Sequence, residues 1–239
     1  MLVAAAVCPC PPLLVPEVAS GAAPELDAAR DACARAVSAL AAARPEVLVV
    51  VGPTAADAAG PYPAGTVGSF RGFGVDLDVR LGTAAPAEPR QAQLPPALAV
   101  GAWLLQEAHW ATRVEGVGVD ERATPDQCFE DGRKIAGRAG RVALLAMGDA
   151  SACRSLKAPG YLDERAADHD AAVARALAGA DPDALRALDA SLAYELKAAG
   201  RAAWQVLAGA AEGTGLTGRL LYDDAPYGVG YFVSSWTAQ

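Results

Sequence analysis

The 239-residue chain is poor in histidine and in basic charge, and each shortage excludes something. Only two histidines occur, His109 and His169, both on predicted helices and with no H-x-x-x-H or other paired-ligand spacing. Counting alone therefore excludes a two-histidine metal site assembled from strand ends. Lys and Arg number 20 against 28 Asp and Glu, a net charge of −8. An acidic surface repels phosphate backbones, so no nucleic-acid partner is expected. The longest apolar run, Leu94 to Leu105, begins with Pro95-Pro96 and is too short to span a bilayer, so no membrane partner is expected either. Cys8, Cys10, Cys33, Cys128 and Cys153 are an odd, scattered set, unlike a secreted disulfide framework. No Lys or Arg precedes Arg30, and Pro9, Pro11, Pro12 and Pro16 interrupt the apolar start. That start reads as structure and not as a cleaved signal, and the expected location is cytoplasmic.

What the chain has is apolar material, 53% of its residues, with much alanine for close helix packing. Leu2 to Val7 and Val47 to Val51 are short continuous apolar runs, the pattern of strands buried on both faces. Between them, Leu26, Cys33, Val37 and Leu40 fall at helical spacing in a helix predicted from Pro24 to Arg44. Strand, helix, strand within about fifty residues makes a βαβ unit with a parallel sheet. Gly65 to Leu81 reads as one or two exposed strands, Thr83 to Gln93 as an Ala/Pro-rich loop, Leu94 to Ala108 as a helix and Thr112 to Val119 as a strand. Thr124-Pro125-Asp126-Gln127 has the cap, the first-turn proline and the glutamine of a capping box. Val142 to Met147 is a further buried strand. Helices follow over Asp163–Ala178, Pro182–Ala199 and Ala202–Ala211, then strands over Arg219–Tyr222 and Val229–Ser235. The pattern is that of one α/β domain over residues 1–239: three layers, a mostly parallel central sheet and helices on both faces.

In such sheets ligands gather beyond the carboxyl ends of the strands. Four polar or sulfur-bearing segments fall there: Cys8-Pro9-Cys10-Pro11-Pro12, Gly52-Pro53-Thr54, Gly148-Asp149-Ala150-Ser151 and Tyr222-Asp223-Asp224-Ala225-Pro226. Cys8 and Cys10 suit a soft metal such as Zn or Cu(I), or pack as two small buried residues beneath the first helix. Asp224 offers a carboxylate ligand or belongs to a solvated turn. Asp149 positions a ligand or caps the following loop. His109 reads as a helix C-terminal or surface residue, and His169 as a half-buried packing residue. Gly213-Thr214-Gly215-Leu216-Thr217-Gly218 matches a dinucleotide fingerprint by letters, but it follows a helix and enters a strand, so it reads as a loop. No G-x-x-x-x-G-K-[ST], G-x-S-x-G or H-E-x-x-H occurs.

An ordered set of short segments resembles the LigB-like superfamily, which comprises the catalytic subunit of class III extradiol ring-cleavage dioxygenases and its Memo-like relatives. They are Pro11-Pro12-Leu13-Leu14-Val15-Pro16-Glu17-Val18, Gly148-Asp149-Ala150-Ser151, Ala158-Pro159-Gly160-Tyr161 with Asp163-Glu164-Arg165-Ala166, Gly200-Arg201 leading into Trp204-Gln205-Val206-Leu207, and Pro226-Tyr227-Gly228-Val229-Gly230-Tyr231. The resemblance implies Fe(II) held by two histidines and a glutamate, with a further histidine as acid/base. Carried over by position, those roles fall on Cys10, Thr54 and Asp224, with Ala152 at the acid/base position. Thr is a poor ligand and Ala152 moves no proton.

Three expectations follow. The first is a dioxygenase-like protein without Fe(II) ring cleavage, whose pocket of Cys8, Thr54, Asp149, Ser151 and Tyr227 binds a small molecule or a protein partner. The second is a metal-dependent oxidoreductase with altered ligands, Cys10 and Asp224 holding Fe, Zn or Cu. The third is a true extradiol dioxygenase recruiting His109 or His169. Apolar helix faces leave room for a homodimer.

Overall fold

The computed structural model describes residues 1–83 and 93–238, so most of the loop read over Thr83–Gln93 lies outside the described residues. Strand β1 (Leu2–Cys8) is followed by a turn of 3-10 helix, Pro12–Leu14, and the short α1 (Pro16–Ala19). After a second 3-10 stretch, Ser20–Leu26, helix α2 runs over Asp27–Ala42, so the helix predicted from Pro24 starts later than its spacing suggests. Next come β2 (Val47–Thr54), β3 (Gly60–Tyr62), β4 (Val67–Ser69), β5 (Asp78–Arg80), α3 (Pro96–Glu107), β6 (Arg113–Asp120) and α4 (Pro125–Ala136). The chain finishes with β7 (Val142–Met147), α5 (Arg165–Gly179), α6 (Pro182–Arg186), α7 (Ala190–Glu195), α8 (Arg201–Ala210), β8 (Thr217–Asp224) and β9 (Tyr231–Thr237).

Seven strands form one sheet in the order β3-β6-β2-β7-β1-β9-β8. The four central strands, β6, β2, β7 and β1, are parallel, whereas β3, β9 and β8 join by antiparallel pairing. The mostly parallel sheet expected from the sequence is thus parallel at its centre and antiparallel at its rims. Period-2 alternation explains why the central strands read as unbroken apolar runs. Ala4, Ala6, Leu48, Val50, Leu145 and Met147 face α2 and α3, and Ala5, Val7, Val49, Val51, Leu144 and Ala146 face α4, α5 and α8. The three-layer α/β architecture is as expected.

The capping box at Thr124 is present: Gln127 donates its N–H to Thr124 Oγ1 at 3.3 Å, and Thr124 donates its N–H to Gln127 Oε1 at 2.9 Å. Two expectations fail for visible reasons. The single helix expected over Pro182–Ala199 is two helices, because Asp189 turns its side chain onto the N–H groups of Ser191 and Leu192 and caps a new start. The strands within Gly65–Leu81 are not simply exposed: β4 and β5 form a separate two-stranded sheet that buries Gly68 and Val79, with Phe70 and Leu81 beside them packed against α3, and leaves Asp78 in solvent. Among the described residues no helix is long and apolar enough to cross a membrane.

Helices α4 and α8 cross at backbone contact. A methyl group on Gly209 would sit 1.9 Å from the Phe129 carbonyl oxygen, and one on Gly132 2.0 Å from that of Val206. The contact fixes α8, and with it the position of Arg201 at its first residue, against the sheet.

Candidate functional site at the carboxyl edge of the sheet

The register brings the four predicted segments to one edge. Cys8 is opposite Met147, so β1 and β7 end together, and Thr54 is opposite Asp120 at the ends of β2 and β6. Strand β9 runs against both β1 and β8, so β8 points the same way as β1 and ends at Asp224, opposite Tyr231. His109 follows α3, which leads into the start of β6, so it lies at the opposite edge and exposed.

Asp149 and Cys10 meet directly: the Cys10 N–H donates to Asp149 Oδ1 at 2.8 Å. The Asp149 loop is pinned from both sides. Gly148 donates its N–H to the Cys8 carbonyl, Ala150 to that of Gly230, and Gly200 to that of Asp149. A Cβ on Gly148 would lie 2.3 Å from Gly200 Cα, so glycine at both positions permits this approach. Burial raises the Asp149 carboxyl from its ordinary range to about 7, and the Cys10 N–H bond only partly offsets this. The Cys10 thiol is pushed well up, first by burial and then by the nearby Asp149 and Glu121 carboxyls. Tyr231 is buried, and its phenol is also pushed up, by burial first and then by Asp149 and Cys10. Near neutral pH the cluster therefore holds a protonated thiol, a protonated phenol and a carboxyl poised between its two states.

The other predicted site residues are placed differently. Cys8 is fully buried beside Cys33 of α2, and that thiol, together with burial, pushes its own well up. Of the two readings for Cys8, the structure shows packing, beneath α2. Thr54 is buried near Gly118, where a Cβ would lie 3.0 Å from Thr54 Cγ2. Ser151 is turned away into a buried polar knot: its N–H and Oγ donate to the two Asp170 carboxylate oxygens at 3.0 and 2.8 Å. Arg154 also donates to Asp170, at 3.1 Å, and His169 Nδ1 stands 3.2 Å from it. His169 is thus buried and tied into this knot, not half-buried. Tyr227 donates its hydroxyl to Glu25 at 2.9 Å, closing the loop before β9 over the segment before α2. Asp224 is exposed and accepts the Ala225 N–H at 2.7 Å, the solvated-turn alternative.

The donor set does not fit the iron that the resemblance implies. Among the described residues no three His, Cys, Asp or Glu side chains gather into a group that could hold a metal ion. Cys10 is a thiol held protonated by its surroundings, and thiols bind metal as thiolates. Sequence reasoning missed Asp170 and Glu121, and quoted Tyr231 and Arg201 only within longer segments, with no role of their own. A tyrosine opening a strand and a glutamate just past one carry no local signal. The Gly200-Arg201 pair was visible, but only as part of a longer segment.

No family model matches the chain, and no curated protein matches it. Among solved structures it is similar to the crystal structure of the uncharacterized protein JW3007 from Escherichia coli K12. The TM-score is 0.53 at 16% identity, covering 99% of this chain and 100% of that one. The likeness is one of fold over the whole length, and defines the class as a single-domain α/β protein.

Proposed function

We propose that the chain is a class III extradiol dioxygenase-like protein of the LigB-like type that does not carry out Fe(II) ring cleavage and uses the strand-end cluster of Asp149, Cys10 and Tyr231 to bind a small organic molecule. The observation that carries this reading is the Asp149–Cys10 hydrogen bond. At the position where the resemblance implies a ligating histidine, the backbone of Cys10 is tied to a carboxyl that burial keeps half-protonated near pH 7. A carboxyl in that state both accepts and donates hydrogen bonds, and the buried Tyr231 phenol adds a second donor. Such a cluster suits a hydroxylated or carbonyl-bearing molecule better than a cation. A small molecule fits better than a protein partner, because Cys10 and Tyr231 are both nearly inaccessible.

The test is ligand-observed NMR with catechol as the probe, on the wild type and on Asp149→Asn and Tyr231→Phe. Catechol is expected to bind without oxygen consumption, and binding is expected to weaken in both variants. Catechol-dependent oxygen uptake after Fe(II) addition would overturn the proposal, as would the absence of any catechol binding.

A further inference from the structure

Beside the strand-end cluster, past the end of β6, lies a cavity of about 520 Å³ that Cys10, Asp149 and Tyr231 do not line, although its Glu121 carboxyl acts on the Cys10 thiol from nearby. Its walls come from Glu121, from α7 and from the turn into α8. Tyr194, Ala198 and Ala199 give it an apolar side, and Lys197 and Arg201 are the two basic residues that line it. Tyr194 is held in place by Arg122, whose guanidinium lies 5.0 Å over the ring and donates to the hydroxyl at 2.7 Å.

Arg201 is only 3% exposed. Its Nη1 donates to the Ala123 carbonyl at 2.6 Å and to Gln205 Oε1 at 2.9 Å, and its Nη2 donates to the Glu121 carbonyl. All of these acceptors are neutral. Among the described residues Arg201 makes no ion pair, whereas the deeply buried Asp170 has Arg154 at 3.1 Å. A guanidinium is always charged, and one this buried normally has an anion beside it. Glu195, on the cavity wall, is already paired with Arg165 at 2.8 Å. Lys197, exposed, donates only a long bond of 3.5 Å to the Pro159 carbonyl. Glu121 makes no side-chain hydrogen bond among the described residues. Glu121 is exposed, and the loss of water on its protein side, then Asp120, raise its carboxyl, with Arg122 and Arg201 acting against them.

We infer that this cavity is a binding site for a small organic monocarboxylate bearing a hydroxyl or amino group, with the ligand carboxylate as the counter-ion of Arg201 and Lys197 and its donor group on Glu121. A dicarboxylate would set its second charge against Glu121 and Glu195. The inference does not depend on the strand-end reading, since the cavity is not lined by Asp149, Cys10 or Tyr231.

The probe is 4-hydroxybutyrate, measured by calorimetric titration against its neutral amide and against glutarate. Binding of the hydroxy acid is expected, with the amide and glutarate at least about tenfold weaker, the loss typical of one charge-assisted hydrogen bond. Lys197 is exposed with a φ of 56°, a backbone that asparagine tolerates, so Lys197→Asn should fold and weaken binding several-fold. Arg201→Gln should abolish binding; circular dichroism checks that this variant folds, and Lys197→Asn carries the test if it does not. The inference is overturned if no hydroxy acid binding is seen at millimolar concentrations, if the amide binds as well as the acid, or if Lys197→Asn binds undiminished. Failure here leaves the Asp149 and Tyr231 results standing, and the converse also holds.

Discussion

Replacing Asp149 by Asn should make the protein more stable at and above neutral pH and leave it nearly unchanged in acid. The carboxyl is raised from 3.8 to about 7 by burial, so the folded protein resists ionising a group that the unfolded chain ionises freely. Between those two values the folded state binds more protons than the unfolded state. Stability therefore falls as pH rises through that window and levels off above the folded value. A rise from 3.8 to about 7 is worth at most about 4 kcal/mol, and the partial exposure of Asp149 brings a realistic figure to about 2–3 kcal/mol. Asn keeps an amide oxygen to accept the Cys10 N–H and carries no charge at any pH, so the penalty disappears with the loop geometry intact. The assay is urea denaturation of both proteins from about pH 3.5 to about pH 8.5. The two stabilities should coincide at the acid end, separate steadily up to neutrality and keep a constant gap above it. In thermal unfolding, about 2–4 °C per kcal/mol translates the gap into a shift of several degrees. Parallel pH profiles for the two proteins would refute the argument, since Asp149 would then ionise as an ordinary surface carboxylate.

Three further outcomes follow from the packing. Gly209→Ala should destabilise the fold by about 3 kcal/mol or more, because the added methyl meets the Phe129 carbonyl at 1.9 Å and two helix backbones must part; the urea midpoint checks it. Asp170→Ala strips the partner from Ser151, Arg154 and His169 and should cost about 3–5 kcal/mol in the same assay, with Asp170→Asn costing less because an amide still accepts from Ser151. A native-state thiol titration should label none of the five buried cysteines quickly, and all five should react in denaturant; fast labelling of Cys10 in the native protein would contradict its burial and raised thiol.

The central strands and the helix faces were legible because burial on both sides of the sheet leaves unbroken apolar runs, as in Val47 to Val51, and because Cys33, Val37 and Leu40 keep helical spacing. The Thr124 cap was legible because its chemistry is local. The break at Asp189 was also local, yet the continuing Ala- and Leu-rich pattern concealed it. The antiparallel rims were not legible, since the strand sense of β9 depends on how a loop returns and not on its own residues. At the site, the meeting of Asp149 with Cys10 could be expected only as a shared edge; the hydrogen bond depends on Gly148 and Gly200, far apart in sequence, touching backbone to backbone. Ser151 looked equally suited to the pocket, but its partner, Asp170, lies on the next helix. Arg201 became informative only once its burial and its neutral partners were known.

The central proposal is that the strand-end cluster of Asp149, Cys10 and Tyr231 is a hydrogen-bonding site and not an iron centre. Elemental analysis of protein purified anaerobically without a metal-affinity tag, before and after incubation with Fe(II), Zn(II) and Cu(I), tests it most directly. No stoichiometric metal is expected in any sample, and no difference between the wild type and Cys10→Ala or Asp224→Ala. One metal ion per chain, lost in both variants, would contradict the claim and establish a rebuilt metal centre.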